Sequence, residues 1–208
     1  MNTTTTYADL GTNGTAIATA NTDDANSAVQ DIGFSFTYNG TAFTQFVLNT
    51  NGLIKLGNAV PSTAALYYDG DQGVDPLNPT AGAPHTNLLM PFNMDLQQGT
   101  APAEYRVQTT GTAPNRVCTI QWKNVSDKPY PGVGGEPTQY ANFSFQVKLY
   151  ENGNVEFVYG AATASASVAT DKYPNVGLKG NSTEANQIVL ATKPSDAAWS
   201  SAGFINRN

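Results

Sequence analysis

The chain has 208 residues, of which 10 are basic and 16 acidic, giving a net charge of −6 with only 12% charged residues. A phosphate backbone or an anionic bilayer requires a basic face, so this acidic balance argues against nucleic acid and against docking on anionic lipid. Its apolar runs, such as Leu88–Phe92, fall far short of the ~20 residues of a spanning helix, and its single cysteine, Cys118, excludes internal disulfides, CxxC zinc sites and iron–sulfur clusters.

Residues 1–30 are rich in Thr, Ala and Asn, and only Thr15–Ala20 has strand character. They read as an N-terminal arm or edge strand ahead of a single domain over 31–208. Met1–Tyr7 has neither a basic n-region nor an apolar h-region. The composition favours Met1 standing in place of a removed leader over a native start, and a secreted or cell-surface protein of bacterial type.

From Asp31 the pattern changes. Ile32, Phe34, Phe36 and Tyr38 alternate with Gly33, Ser35 and Thr37, the period of a half-buried strand. Asn39-Gly40 tolerates positive φ and predicts a hairpin turn. A second strand carries Phe46 and Leu48. Asn49-Thr50-Asn51-Gly52 turns the chain into Leu53–Leu56, completing a meander.

Residues 58–86 form a long loop, and loops of this length are commonly functional. Leu88–Phe92 reads as a short buried strand. Strands are predicted at Ala103–Gln108 and at Arg116–Val125, where Cys118, Ile120 and Trp122 share a face. A second long loop runs from Ser126 to Tyr140. Asn142–Tyr150 carries Phe143, Phe145, Val147 and Leu149 on one face, and a turn at Glu151–Asn154 leads into Val155, Phe157 and Tyr159. Two weaker strands, Asn175–Lys179 and Gln187–Ala191, follow, and Ser195–Ala202 reads as one helical turn. Ten or eleven short strands without sustained helical periodicity predict an all-β, antiparallel, jelly-roll-like sandwich.

Five segments occur here in an order that resembles the nidogen-like extracellular β-sandwich modules. They are Ile32–Tyr38, Leu48–Gly57 with its Asn-x-Asn-Gly, Met90–Asp95, Asn115–Val125 and Phe143–Gly160. The resemblance covers about residues 31–160. It implies an extracellular matrix or adhesion role rather than catalysis.

Asp69, Asp71 and Asp75 place three carboxylates in the first long loop. Calcium takes hard oxygen ligands, and alternate positions of a tight loop converge on one ion; the other reading is a solvated turn. Asp95, at the end of a buried strand, either caps a turn or joins a metal site. Tyr67, Tyr68, Tyr130 and Tyr140 lie in or beside the two long loops. Rim aromatics stack on sugar rings, or else they cover the core edge. Trp122 and Cys118 read as core. His85 has no second histidine and no nucleophile elbow near it in sequence, so no triad is supported. Glu104, Glu136, Glu151 and Glu156 are the carboxylates a glycan-active enzyme could use.

The reading that results is a non-catalytic surface module that recognises a glycan or a protein through loops 58–86 and 126–140. One alternative is a structural subunit that self-assembles into a filament or sheath through its Thr-rich arm, Thr3–Thr6, added to a neighbour's sheet edge. The other is an enzyme of glycan turnover. Calcium is the one cofactor with candidate ligands.

Overall fold

The structure, a computed structural model, describes residues 5–61, 85–129, 138–166, 174–182, 187–192 and 203–206. Its strands are β1 (Thr15–Ala16), β2 (Gln30–Tyr38), β3 (Thr41–Asn49), β4 (Leu53–Leu56), β5 (Leu88–Asn93), β6 (Leu96–Gln98), β7 (Glu104–Thr110), β8 (Val117–Asp127), β9 (Tyr140–Tyr150), β10 (Val155–Tyr159), β11 (Thr163–Ala164), β12 (Asn175–Lys179), β13 (Ile188–Thr192) and β14 (Gly203–Asn206). They form two antiparallel sheets. The first runs β1-β7-β8-β9-β10, with β6 on the far half of β8 and β11 on β9. The second runs β14-β13-β12-β5-β4-β3-β2. The expected all-β sandwich is thus observed. The predicted helical turn at 195–202 lies outside the described residues.

Alternation in the sequence becomes two-sidedness in space. Ile32, Phe34 and Phe36 of β2 are buried and the residues between them are exposed. Cys118, Ile120 and Trp122 of β8 meet Phe145, Val147 and Leu149 of β9 across the same face. Between the sheets, Trp122 stacks on Phe145 at 5.1 Å and 17°. Phe92 sits among Tyr140, Phe143, Phe145 and Tyr159. Burying a large apolar side chain contributes ~1.5–3 kcal/mol, so this core, not the sparse charges, holds the fold together.

β2 is the edge strand of the second sheet, and side chains of the first sheet reach its backbone. Its pairing with β3 slips between Asp31 and Phe36, and inside that slip its carbonyls turn to the first sheet. Thr109 Oγ1 donates to the Ile32 carbonyl at 2.7 Å. Arg116 Nη1 donates to the Gly33 carbonyl at 3.0 Å, with its guanidinium 5.4 Å from the Phe34 ring centroid.

The second sheet is buried on both faces around β4 and β5. Leu53, Leu88, Met90, Ile188 and Leu190 form a second apolar cluster, on the face opposite the main core. Lys55, Leu88 and Lys179 lie in one row across β4, β5 and β12. Lys179 is fully buried and Lys55 nearly so. Burial and the Lys179 charge pull the Lys55 amine down to about 8, and Lys55 Nζ donates to the Thr86 carbonyl at 2.6 Å. His85, also buried, is held low by burial and by both lysines.

Candidate functional site

The turn Asn49–Gly52 closes β3 onto β4, yet it is wholly buried. Backbone groups without water must be bonded internally, and here the motif does this with its own side chains. Asn51 N donates to Asn49 Oδ1 at 2.8 Å, and Asn49 Nδ2 donates to Asn26 Oδ1 at 2.8 Å. Thr50 Oγ1 accepts from Ala25 N at 3.0 Å. Asn51 Oδ1 accepts from Leu96 N at 2.8 Å, while its Nδ2 donates to Asp24 Oδ1 at 2.8 Å. Trp122 Nε1 donates to the Asn49 carbonyl at 3.0 Å. Gly52 has φ of +76°, and a Cβ there would meet the Phe92 carbonyl oxygen at 1.9 Å, so only glycine fits.

This turn organises one end of the sandwich. It aligns Asp24 directly and Asp95 through the neighbouring Leu96 amide. Asp23, Asp24 and Asp95 bring carboxylate oxygens within 4.8 Å of one another. Lys128 reaches the same group: its backbone N donates to the Asp95 carbonyl at 2.9 Å, and its Nζ lies 2.6 Å from Asp23 Oδ2. The hydrogen bond to Asp23, outweighing burial, holds the Lys128 amine above its usual range, helped by the charges of Asp95, Asp23 and Asp24. This is the group of described residues whose chemistry suits a hard cation. Asp95 was legible as a cap or a metal ligand; its partners were not. Asp69, Asp71 and Asp75 lie outside the described residues.

Beside this group, along β6 and the ends of β8 and β9, lies an open cleft of about 630 Å³. Gln97, Gln98, Thr100, Ser126, Thr138, Tyr140 and Ser165 line it together with alanines and Gly99, and no charged side chain is among its described lining. Asp127, fully buried, accepts from Gln139 N at 2.7 Å and Tyr140 N at 3.0 Å, which fixes the start of β9. Tyr140 is half-buried and stacks on Phe143 at 5.2 Å. Burial, with the Asp127 charge, pushes its phenol up to about 12. It is both core edge and cleft wall. Tyr67, Tyr68 and Tyr130 lie outside the described residues, as does Glu136.

The remaining carboxylates are spread out. Glu104 pairs with Arg106 at 3.3 Å, Glu151 pairs with Arg116, and Glu156 accepts from Tyr150 Oη at 2.6 Å. None of the three lines the cleft.

The N-terminal arm packs on its own chain. Leu10 N donates to Gln121 Oε1 at 3.0 Å, and Gln146 Nε2 donates to the Ala8 carbonyl at 2.7 Å. Asp9 pairs with Lys123, and Thr5 Oγ1 bonds Glu156 Oε1. Beyond this strap, β1 adds to the edge of β7.

Among the described residues no helix is long and apolar enough to cross a membrane. Compared with protein-family models, residues 1–206 match the one described as NIDO related. No curated protein and no solved structure matches the chain.

Proposed function

The chain belongs to the nidogen-related family, an extracellular type of module, and from that premise we propose that it is a non-catalytic surface module that recognises a neutral glycan in the β6–β8–β9 cleft. The observation that carries the reading is the cleft's lining. Amides and hydroxyls supply donors and acceptors, Tyr140 supplies an aromatic wall, and charge is missing from the described lining. A sugar offers the matching set of hydroxyls and an apolar ring face. The separation of Glu104, Glu151 and Glu156, each engaged elsewhere, supports binding over hydrolysis, which needs two carboxylates facing one bond.

The test is a glycan array followed by titration calorimetry on wild type and on Gln97→Ala/Gln98→Ala. Loss of two neutral hydrogen bonds of ~0.5–1.5 kcal/mol each weakens binding by roughly 5- to 150-fold, with the melting temperature unchanged. Retention of no glycan by wild type, or equal binding by the double variant, would sink this reading.

A further inference from the structure

We propose that the outer face of β8, β9 and β10 is a docking groove for an extended peptide segment, and that residues 5–10 of a second copy of this chain enter it in exchange for the chain's own. The inference stands apart from glycan recognition. It moves the self-assembly contact expected of the arm from a sheet edge to a sheet face.

Three observations carry it. The first is how the groove is built. Gln121 and Gln146 are cross-strand partners that alternate with the core residues Ile120, Trp122, Phe145 and Val147, so they point away from the main core. Both are nonetheless fully buried, and Val158, opposite Gln146 on β10, is nearly so. The N-terminal strap lies over the glutamines. Gln146 Nε2 donates to the Ala8 carbonyl at 2.7 Å, and Gln121 Oε1 accepts from Leu10 N at 3.0 Å. These two bonds grip main chain, the part of a segment that strand-like recognition reads. Asp9 adds its carboxylate to Gln121 Nε2 and Lys123.

The second is an unpaired acceptor. Gln146 Oε1 is shut off from solvent with no hydrogen-bond partner, although Gln146 Nε2 has two, Ala8 and Gln121. Buried polar atoms are normally satisfied, so the chain's own strap is an incomplete occupant. The third is the tether that limits it. Asn13 N donates to the Leu10 carbonyl at 2.8 Å, and Arg106 holds the carbonyls of Thr12, Asn13 and Gly14 at 3.0, 2.9 and 3.2 Å. This turn fixes where Ala8–Leu10 sit. The same segment from a second copy brings the same groups without that constraint, and can set a backbone N–H against Gln146 Oε1. That difference in contacts is what shifts an equilibrium from one occupant to the other. Gly11, with a φ of +56° and open space around its Cβ position, is the pivot about which the chain's own strap lifts away.

The experiment uses the full chain. Thr5→Cys and Glu156→Cys replace two side chains that bond across the groove; the two proteins are mixed and treated with a mild oxidant. Cys118 is fully buried and stays out of the reaction. A disulfide between the two chains accumulates only where the strap of one copy lies on the face of another. Asn58→Cys, exposed elsewhere, replaces Glu156→Cys to measure random collision. A short tether holds its own segment at a millimolar effective concentration, so exchange with equal contacts is half complete at about 1 mM chain. Pairing the buried acceptor favours the second copy roughly 5- to 150-fold, which brings half-exchange to between roughly 10 and 200 μM. Light scattering of the unmodified chain should show its mass rising over the same range. Gln146→Met removes the unpaired acceptor from both arrangements and should return the midpoint to about 1 mM. Circular dichroism checks that this variant folds; if it does not, the cysteine pair decides alone. A mixed disulfide no more abundant than with Asn58→Cys, a chain that stays monomeric up to about 1 mM, or a folded Gln146→Met with the parent's midpoint would overturn the proposal.

Discussion

Asn51→Ala removes two hydrogen bonds from the middle of the buried turn. The Leu96 amide, now donating to Asn51 Oδ1 at 2.8 Å, loses its acceptor where the replaced side chain was fully buried. A buried donor left without a partner costs ~1–3 kcal/mol. The second bond, to Asp24 Oδ1 at 2.8 Å, ends on an exposed residue whose carboxylate water can resolvate, so its loss costs about 0.5–1 kcal/mol. Together the substitution destabilises by ~1.5–4 kcal/mol, a large share of the ~5–15 kcal/mol typical of a domain. Urea unfolding followed by tryptophan fluorescence and far-ultraviolet circular dichroism reads it directly. With a slope of ~2–3 kcal/mol/M, the midpoint should fall by roughly 1 M. A fall below about 0.3 M with an unchanged slope would show that water reaches Leu96 N, and that the turn is not the sealed hub described above. Asn51→Asp sharpens the test: it keeps the acceptor for Leu96 but sets a carboxylate against Asp24, so its loss should shrink as salt is raised.

Gly52→Ala and Gly40→Ala share a φ of +76°, but only at Gly52 does a Cβ strike backbone, the Phe92 carbonyl at 1.9 Å, whereas at Gly40 nothing lies within 4 Å. Gly40→Ala should cost only the left-handed strain of ~1–2 kcal/mol, while Gly52→Ala should leave no cooperative unfolding transition; equal melting temperatures would refute the contrast. The N-terminal strap should loosen in acid. Burial pushes the Asp9 carboxyl up, but Lys123, the Gly11 amide and Gln121 outweigh it and leave it below its ordinary value. A carboxyl held low in the folded state adds stability above its unfolded pKa of ~3.9, and that stability fades as pH falls through the folded value. The protection of the Leu10 amide against hydrogen exchange, relative to its intrinsic rate at each pH, should therefore fall below about pH 4 in wild type and be low already at neutral pH in Asp9→Asn. Protection in wild type that does not change with acid would mean the strap is held without Asp9.

Most strands were legible because their information is local. The alternation of Ile32, Phe34 and Phe36, or of Phe143, Phe145, Val147 and Leu149, states which face is buried without reference to any other segment. Asn39-Gly40 likewise needs only its own backbone to turn. The ordered motifs carried the family resemblance, because a sandwich repeats its turns and core aromatics in chain order.

What covers a face is another matter. Asn49–Gly52 reads as an ordinary polar turn, and only the packing of residues 24–26, 93–96 and Trp122 around it makes every polar atom there structural. Lys55 stands in the sequence as the exposed position of a short strand; the second cluster on the outer face of its sheet buries it beside Lys179. The carboxylates of Asp23, Asp24 and Asp95 and the amine of Lys128 come from segments far apart in the chain, brought together where β6 pairs with the end of β8. Period two tells a side chain which side of its own strand it occupies, and long-range strand pairing alone decides what stands opposite.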